Sequence, residues 1–164
     1  MHTLVLMRHA KSDYPAGVAD HDRPLAARGA REAALAGNWL RANAPRIEHV
    51  LCSSAARTRE TLARSRIDAP VSYLEQLYGA MPGTVIDEVN AVDESVGTLL
   101  VIGHEPTISH LALGLADASS SNATAAEHIS NKFPTSGIAV LRTSGTWSQL
   151  ELASAALITF HVPR

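Results

Sequence analysis

Two arginines and two histidines stand where this chain leaves its apolar strands. Leu4-Val5-Leu6-Met7 runs directly into Arg8-His9. His49 to Ser53 reads as a second strand, followed by Ser54-Ala55-Ala56-Arg57-Thr58-Arg59-Glu60-Thr61. Thr98 to Ile102 is a further apolar strand, ending at Gly103-His104 with Glu105-Pro106-Thr107 opening a helix. In open α/β sheets, ligands bind outside the carboxyl ends of parallel strands. If the sheet is parallel, the three groups converge on one edge. Arginine grips phosphate oxygens in a bidentate fashion. Its charge lowers the pKa of a neighbouring imidazole, keeping it neutral and nucleophilic. A neutral histidine can attack phosphorus and carry the phosphoryl group covalently. The surrounding donors then stabilise the transferring charge, and N–H groups at helix starts add to the anion site. Arginine takes the role magnesium often plays, so no metal or other cofactor is expected. Neither CxxC nor His-x-x-x-His occurs in the chain.

The elements that must position these groups alternate strand and helix, which favours a largely parallel sheet covered on both faces. Strand one is about Thr3 to Arg8. A loop through Tyr14-Pro15-Ala16-Gly17 and His21-Asp22-Arg23-Pro24 leads to a helix from about Ala27 to Ala42, in which Gly37 allows close packing on the sheet. Helices are also read at Ala55 to Arg66, at Thr84 to Val92 and from about Pro106, a residue suited to a first helical turn. Val71 to Leu74 reads as a short strand. The Ala/Ser/Asn/Thr-rich stretch from Ala116 to Ala126 reads as a loop. Ser136 to Leu141 and Ser148 to Leu152 read as two strands whose short link makes them antiparallel. Ile158-Thr159-Phe160 fits either an edge strand or a packed tail.

Composition narrows the function classes. A chain of 164 residues with 46% hydrophobic residues suits a single domain, 1–164, with one core. Aromatics are only 4%, so that core is largely aliphatic. A net charge of −2 provides no global basic field for nucleic acid. No stretch is long enough to span a membrane or serve as a cleavable leader. Cys52 is the lone cysteine, so a reducing cytoplasm is the simplest expectation, with the chain as a monomer.

Taken in order, these motifs resemble the histidine phosphatase superfamily, also called phosphoglycerate mutase-like. The chain's small size and its Arg8-His9-Ala10-Lys11-Ser12 run are similar to the SixA-type phosphohistidine phosphatases. Arg8-His9 fits the family's Arg-His signature, with Ala10 where many relatives have Gly. Ser53, Arg57 and Thr61 fit Ser-x-x-x-Arg-x-x-x-Thr, and Gly103-His104 fits the second catalytic histidine. Asp22-Arg23-Pro24-Leu25 with Arg28-Gly29 resembles the segment opening the first long helix of SixA-like chains. The resemblance implies an α/β/α sandwich with His9 as nucleophile. Arg8, Arg57 and His104 would complete the phosphate pocket, with His104 also catalytic. Glu75, in Leu74-Glu75-Gln76-Leu77-Tyr78-Gly79-Ala80, takes the position of the mutase general acid. An imidazole leaves more readily than an alkoxide, so SixA-type chemistry need not have such an acid. Glu75 therefore reads either as general acid or as surface carboxylate.

Two departures from the family stand out. Asp13-Tyr14 replaces a frequent Trp-Asn pair, so one phosphate contact is missing or replaced. Ala26 replaces a frequent Thr before the first long helix, which removes a side-chain cap. Arg59 and Arg64 read as solvated helix residues, and Cys52 as a small buried hydrophobe. His2, His49, His110, His128 and His161 read as structural or exposed, as does His21, although its loop can reach the pocket. The chain is too short for a large capping domain, so an open pocket is expected. The expected partner is a phosphorylated protein or a small phosphate ester. A non-catalytic phospho-ligand binding module is the rival reading; it would keep the arginines but could dispense with His9.

Overall fold

β1 (His2–Arg8) and β4 (Thr98–Gly103) are the spine of the molecule. Both are buried almost end to end, as strands covered on two faces must be. The computed structural model describes residues 1–164. Beside these strands stand β2 (His49–Ser53), β3 (Val71–Leu74), β5 (Ile138–Thr143) and β6 (Ala156–His161), in the order β3-β2-β4-β1-β5-β6. The first four strands in that order are mutually parallel, and β5 runs antiparallel to both β1 and β6. The helices are α1 (Ala27–Asn43), α2 (Ala56–Ser65), α3 (Pro82–Asn90), α4 (Thr107–Leu115) and α5 (Ala123–Asn131).

Strand alternation divides the core in two. Leu4, Leu6, Leu99 and Val101 face α3, α4 and α5, meeting Val85, Ile108, Leu111 and Ile129. Val5, Met7, Leu100 and Ile102 face α1 and α2, meeting Ala36, Leu40 and Leu62. The result is the expected three-layer α/β/α sandwich. No helix is long and apolar enough to cross a membrane.

The C-terminal third departs from the sequence reading. Ser148 to Leu152 is not a strand. Thr146 and Gln149 form a capping box around a 3-10 turn, Trp147–Gln149. Trp147 is fully buried there, and its indole N–H donates to the Val96 carbonyl at 2.8 Å. Burial of that ring overrides the strand pattern. The antiparallel partner of β5 is the later segment Ala156–His161, so Ile158-Thr159-Phe160 is edge strand rather than tail. The stretch from Ala116 to Ala126 is also not loop throughout. The Asn122 side chain accepts from the Ala125 N–H at 3.1 Å and starts α5 at Ala123. Ahead of it, the Ser119 and Ser120 hydroxyls both donate to Asp117.

Two glycines set how α1 sits. A Cβ on Gly29 would lie 2.0 Å from the Lys11 carbonyl oxygen, so only glycine lets the helix start against the chain leaving β1. Ala26 precedes that helix with no side-chain cap, as its identity requires. Gly37 does not serve the sheet, as the sequence suggested. A Cβ there would lie 1.9 Å from the Ser65 carbonyl oxygen, in the last turn of α2. Gly37→Ala gains about 1 kcal/mol of helix propensity. Forcing a methyl into fixed backbone costs about 1–3 kcal/mol, and here the obstacle is a carbonyl that cannot rotate away. The variant is therefore expected to be less stable than the parent in urea melts. An unchanged midpoint would show that α1 and α2 can slide apart freely.

Candidate active site

Sheet register brings the chemistry together. Arg8 pairs with Gly103 across β1 and β4, and Cys52 pairs with Ile102 across β2 and β4. Three adjacent parallel strands thus end level. The His9 N–H donates to the Gly103 carbonyl at 3.0 Å, and the His9 and His104 rings stand 5.3 Å apart. His9, Arg57 and His104 are all buried. Arg8, His9, Arg57 and His104 therefore share one edge, where the sequence put them.

His9 is held in one tautomer. Its Nδ1–H donates to the Ala10 carbonyl at 2.7 Å, which leaves the lone pair on Nε2. Nε2 makes no hydrogen bond within the protein. Burial pushes the imidazole down to about 3, with smaller contributions from His104, Arg57 and Arg8, while the Ala10 carbonyl opposes the shift. The ring is neutral at pH 7, and desolvation does more than the arginine charge to keep it so. Below it, the Ala10 N–H donates to Thr61 Oγ1 at 2.9 Å, and the Thr61 hydroxyl donates to the Arg57 carbonyl at 2.6 Å. Thr61 thus fastens the turn after β1 to α2.

His104 is set by Ser53, whose Oγ lies 2.8 Å from Nε2. Ser53 Oγ already accepts the Ala55 N–H at 3.4 Å, so its own hydroxyl hydrogen is assigned to His104 Nε2, which puts the ring proton on Nδ1. Burial lowers this imidazole to about 4, helped by Arg57 and opposed by Asp20. His104 Nδ1, Arg57 Nε and Arg8 Nε are buried with no partner, as is the Ser136 hydroxyl. Buried polar atoms are almost always satisfied, so three unpartnered N–H donors call for an acceptor. Oxygens of one tetrahedral anion suit them. Arg8 is steadied from outside the parallel unit: its NH1 donates to the Phe133 carbonyl just past α5, at 2.9 Å.

Of a second tier, only the reach of the His21 loop was read from the sequence. A 3-10 turn, Asp20–Asp22, lies against α2. Arg57 donates from NH1 to the Asp20 carbonyl at 2.7 Å and from NH2 to its carboxylate at 3.1 Å. The Tyr78 hydroxyl and Arg23 Nε donate to the same carboxylate. His21 Nε2 hydrogen-bonds Ser54 Oγ at 2.9 Å, so this loop histidine does reach the site. Tyr78 meets both His21 and His104 edge-on. For Asp20 the signals were the charges of the loop and its i, i+3 spacing from Arg23.

Other residues singled out in the sequence lie outside the cluster. Glu75 opens the turn after β3, exposed, with no hydrogen bond or ion pair to any of the four central residues. Tyr14 is also exposed, with the Arg23 guanidinium 4.0 Å above its ring. Arg59 is exposed but donates to the Ser54 carbonyl. Cys52 is fully buried, and burial pushes its thiol up to about 12, which makes it unreactive.

Comparison with known proteins places this geometry in context. Residues 4–96 match the model of the histidine phosphatase superfamily (branch 1). An uncharacterised protein of Mycobacterium tuberculosis is 65% identical over 158 residues, covering 96% of this chain and all of the relative. The phosphohistidine phosphatase SixA of Escherichia coli is 32% identical over 119 residues, covering 68% of this chain and 73% of the relative. A Nakamurella multipartitia structure, itself given as a candidate SixA, superposes with a TM-score of 0.90 at 40% identity, covering 99% of this chain and 96% of the other.

The buried imidazoles make stability depend on pH. A histidine whose folded pKa lies below its unfolded value binds its proton first in the unfolded chain. The stability it contributes is present above about 6.5 and is lost as pH falls towards about 3 for His9 and about 4 for His104. Each imidazole adds at most about 1.4 kcal/mol per pH unit to that loss. In urea melts between pH 7 and pH 4, His9→Ala is expected to lose stability less steeply than the parent chain. Equal slopes would mean that His9 takes up its proton over the same pH range in the folded and the unfolded chain.

Proposed function

The chain belongs to the histidine phosphatase superfamily, and from that premise we propose that it hydrolyses phosphohistidine on a protein partner through a phosphoryl group carried on His9. The observation that carries the reading is a neutral His9 with its Nε2 free of any protein partner, beside three buried N–H donors that have none. In the first step the Nε2 lone pair forms a bond to phosphorus as the bond to the substrate's imidazole nitrogen breaks. That imidazole departs with the electron pair and takes up a proton from solvent water. In the second step a water oxygen bonds to phosphorus and gives up a proton to solvent, the phosphorus–Nε2 bond breaks, and inorganic phosphate leaves as the lone pair returns to Nε2. The three donors face the non-bridging oxygens, where charge is held through both steps. Two guanidiniums provide that charge without a metal ion.

The leaving group decides between substrate classes. An imidazole needs little help from a general acid, whereas an alkoxide needs a proton delivered to it. Glu75 is exposed and unattached to the cluster, which favours the imidazole. The SixA relatives favour it too. A small phosphate ester is the second reading, and the position of Glu75 just after β3 is the observation in its favour. A binding module without chemistry would gain nothing from a desolvated, neutral His9.

His9→Ala is expected to abolish turnover of a phosphohistidine peptide while the chain still melts cooperatively. Acid-labile phosphate should be trapped on the parent chain and absent from the variant. Arg57→Ala should cost on the order of 10²-fold or more. Retained turnover in His9→Ala would remove the covalent mechanism.

Glu75→Gln separates the two substrates. Loss of a general acid slows an alkyl ester by roughly 10²–10⁴-fold, while phosphohistidine hydrolysis should hardly change. Small and equal effects on both would make Glu75 a surface carboxylate. A large loss on phosphohistidine would count against an imidazole leaving unaided.

A further inference from the structure

Arg57 is held by one edge only. Its guanidinium is a planar fork of five N–H groups. Asp20 takes a hydrogen from each terminal nitrogen, one through its backbone carbonyl and one through its carboxylate. Nε, on the adjacent edge, is buried and unpartnered. A planar group gripped along one edge presents the other in a fixed direction. We propose that Asp20 is a positioning residue of the phosphate site, fixing Arg57 so that its Nε edge meets the phosphoryl oxygens.

Asp20 is itself over-determined. Arg23 Nε donates to its carboxylate at 3.0 Å, and the Tyr78 hydroxyl donates to it as well. Arg23 is anchored in turn through NH1 to Ser12 Oγ at 2.8 Å and to the Asp13 carbonyl at 3.2 Å. The segment carrying Asp20 is pinned at its base, where the Asp13 N–H donates to the Pro24 carbonyl and the Ala26 N–H to the Lys11 carbonyl. Hydrogen bonds from Tyr78, Arg23 and Arg57 hold the carboxyl well below the usual carboxylate range, so it stays ionised. Asp20 thus joins the loop after β1, the first turn of α2 and the turn after β3 at one carboxylate.

This inference rests on the phosphatase reading, and its signature differs from that of a merely structural residue. Removing the carboxylate has two opposed effects. It frees positive charge, which favours ground-state binding of an anion. It also lets the guanidinium swing, which weakens the hold on the transition state. Mispositioning a catalytic group by about 1 Å can cost 10²-fold. Asp20→Ala is therefore expected to lower kcat by about 10–100-fold, with KM unchanged or lower. Asp20→Asn keeps an oxygen acceptor and should recover most of the rate. Tyr78→Phe, which removes one hydrogen bond from Asp20 but keeps the ring 5.9 Å from the Arg57 guanidinium, should fall between the parent and Asp20→Ala.

A second readout does not need turnover. With inorganic phosphate as the probe, the Arg57 Nε–H resonance of the parent chain should be sharp and distinct. In Asp20→Ala it should be averaged with the other arginines. An unchanged kcat in Asp20→Ala, a fall in kcat not recovered by Asp20→Asn, or the same Nε–H signal in both chains would overturn the assignment. A parent chain that turns over no phosphorylated substrate would instead sink the phosphatase reading, and the resonance would then decide the role of Asp20 alone.

Discussion

The site is built around an imbalance. Two guanidiniums and two neutral imidazoles meet at the end of three strands, with the Asp20 carboxylate bonded directly to one of them, Arg57. Three of their N–H groups lie buried without an acceptor. Such a cluster is costly in an apolar surrounding and stable only because the rest of the chain holds it rigidly. Burial is also what makes it chemically useful, since desolvation is the largest cause of the neutrality of both His9 and His104. The same water exclusion that strains the folded state keeps a lone pair available at pH 7.

Rigidity comes from level strand ends. β2, β4 and β1 are neighbours in parallel register, so Ser53, Gly103 and Arg8 arrive at one height. The signature spacing then becomes intelligible as mechanics. Ser53 ends the strand and sets the His104 ring. Arg57 follows in the first turn of α2 and is buried in the cluster. Thr61 lies one turn later again and ties α2 to the backbone beneath His9. Residues four apart share a helix face, which is why a single helix can contribute both a charge and a fastening.

Much of this was legible in the sequence because it is local. β1 and β4 are apolar runs, and the polar residues at their carboxyl ends stand out against them. Arg57 and Thr61 follow β2 at helical spacing. Asp20 and Tyr78 were not legible. They meet across 58 positions, and contacts between loop side chains so far apart leave no period to read. Trp147 misled for a related reason: burial of one large ring converted an apparent strand into a turn. Gly37 was read as a close-approach residue, but its neighbour proved to be α2 rather than the sheet. Pattern shows that two surfaces touch; it does not say which.

β1 carries Arg8 and leads into His9, yet neither of its sheet neighbours is near it in the chain. β4 begins at Thr98, and β5 ends at Thr143. The Ser136 N–H donates to the His9 carbonyl, and the Phe133 carbonyl receives Arg8. On a ribosome the first of these six strands to emerge is thus among the last to be fully paired. At ordinary synthesis rates it waits on the order of ten seconds for its second neighbour. During that interval β1 can pair with β4 only, and a chain already carrying all four central residues lacks the Phe133 carbonyl that steadies Arg8. Assembly of this edge is in this way tied to near-completion of the sheet.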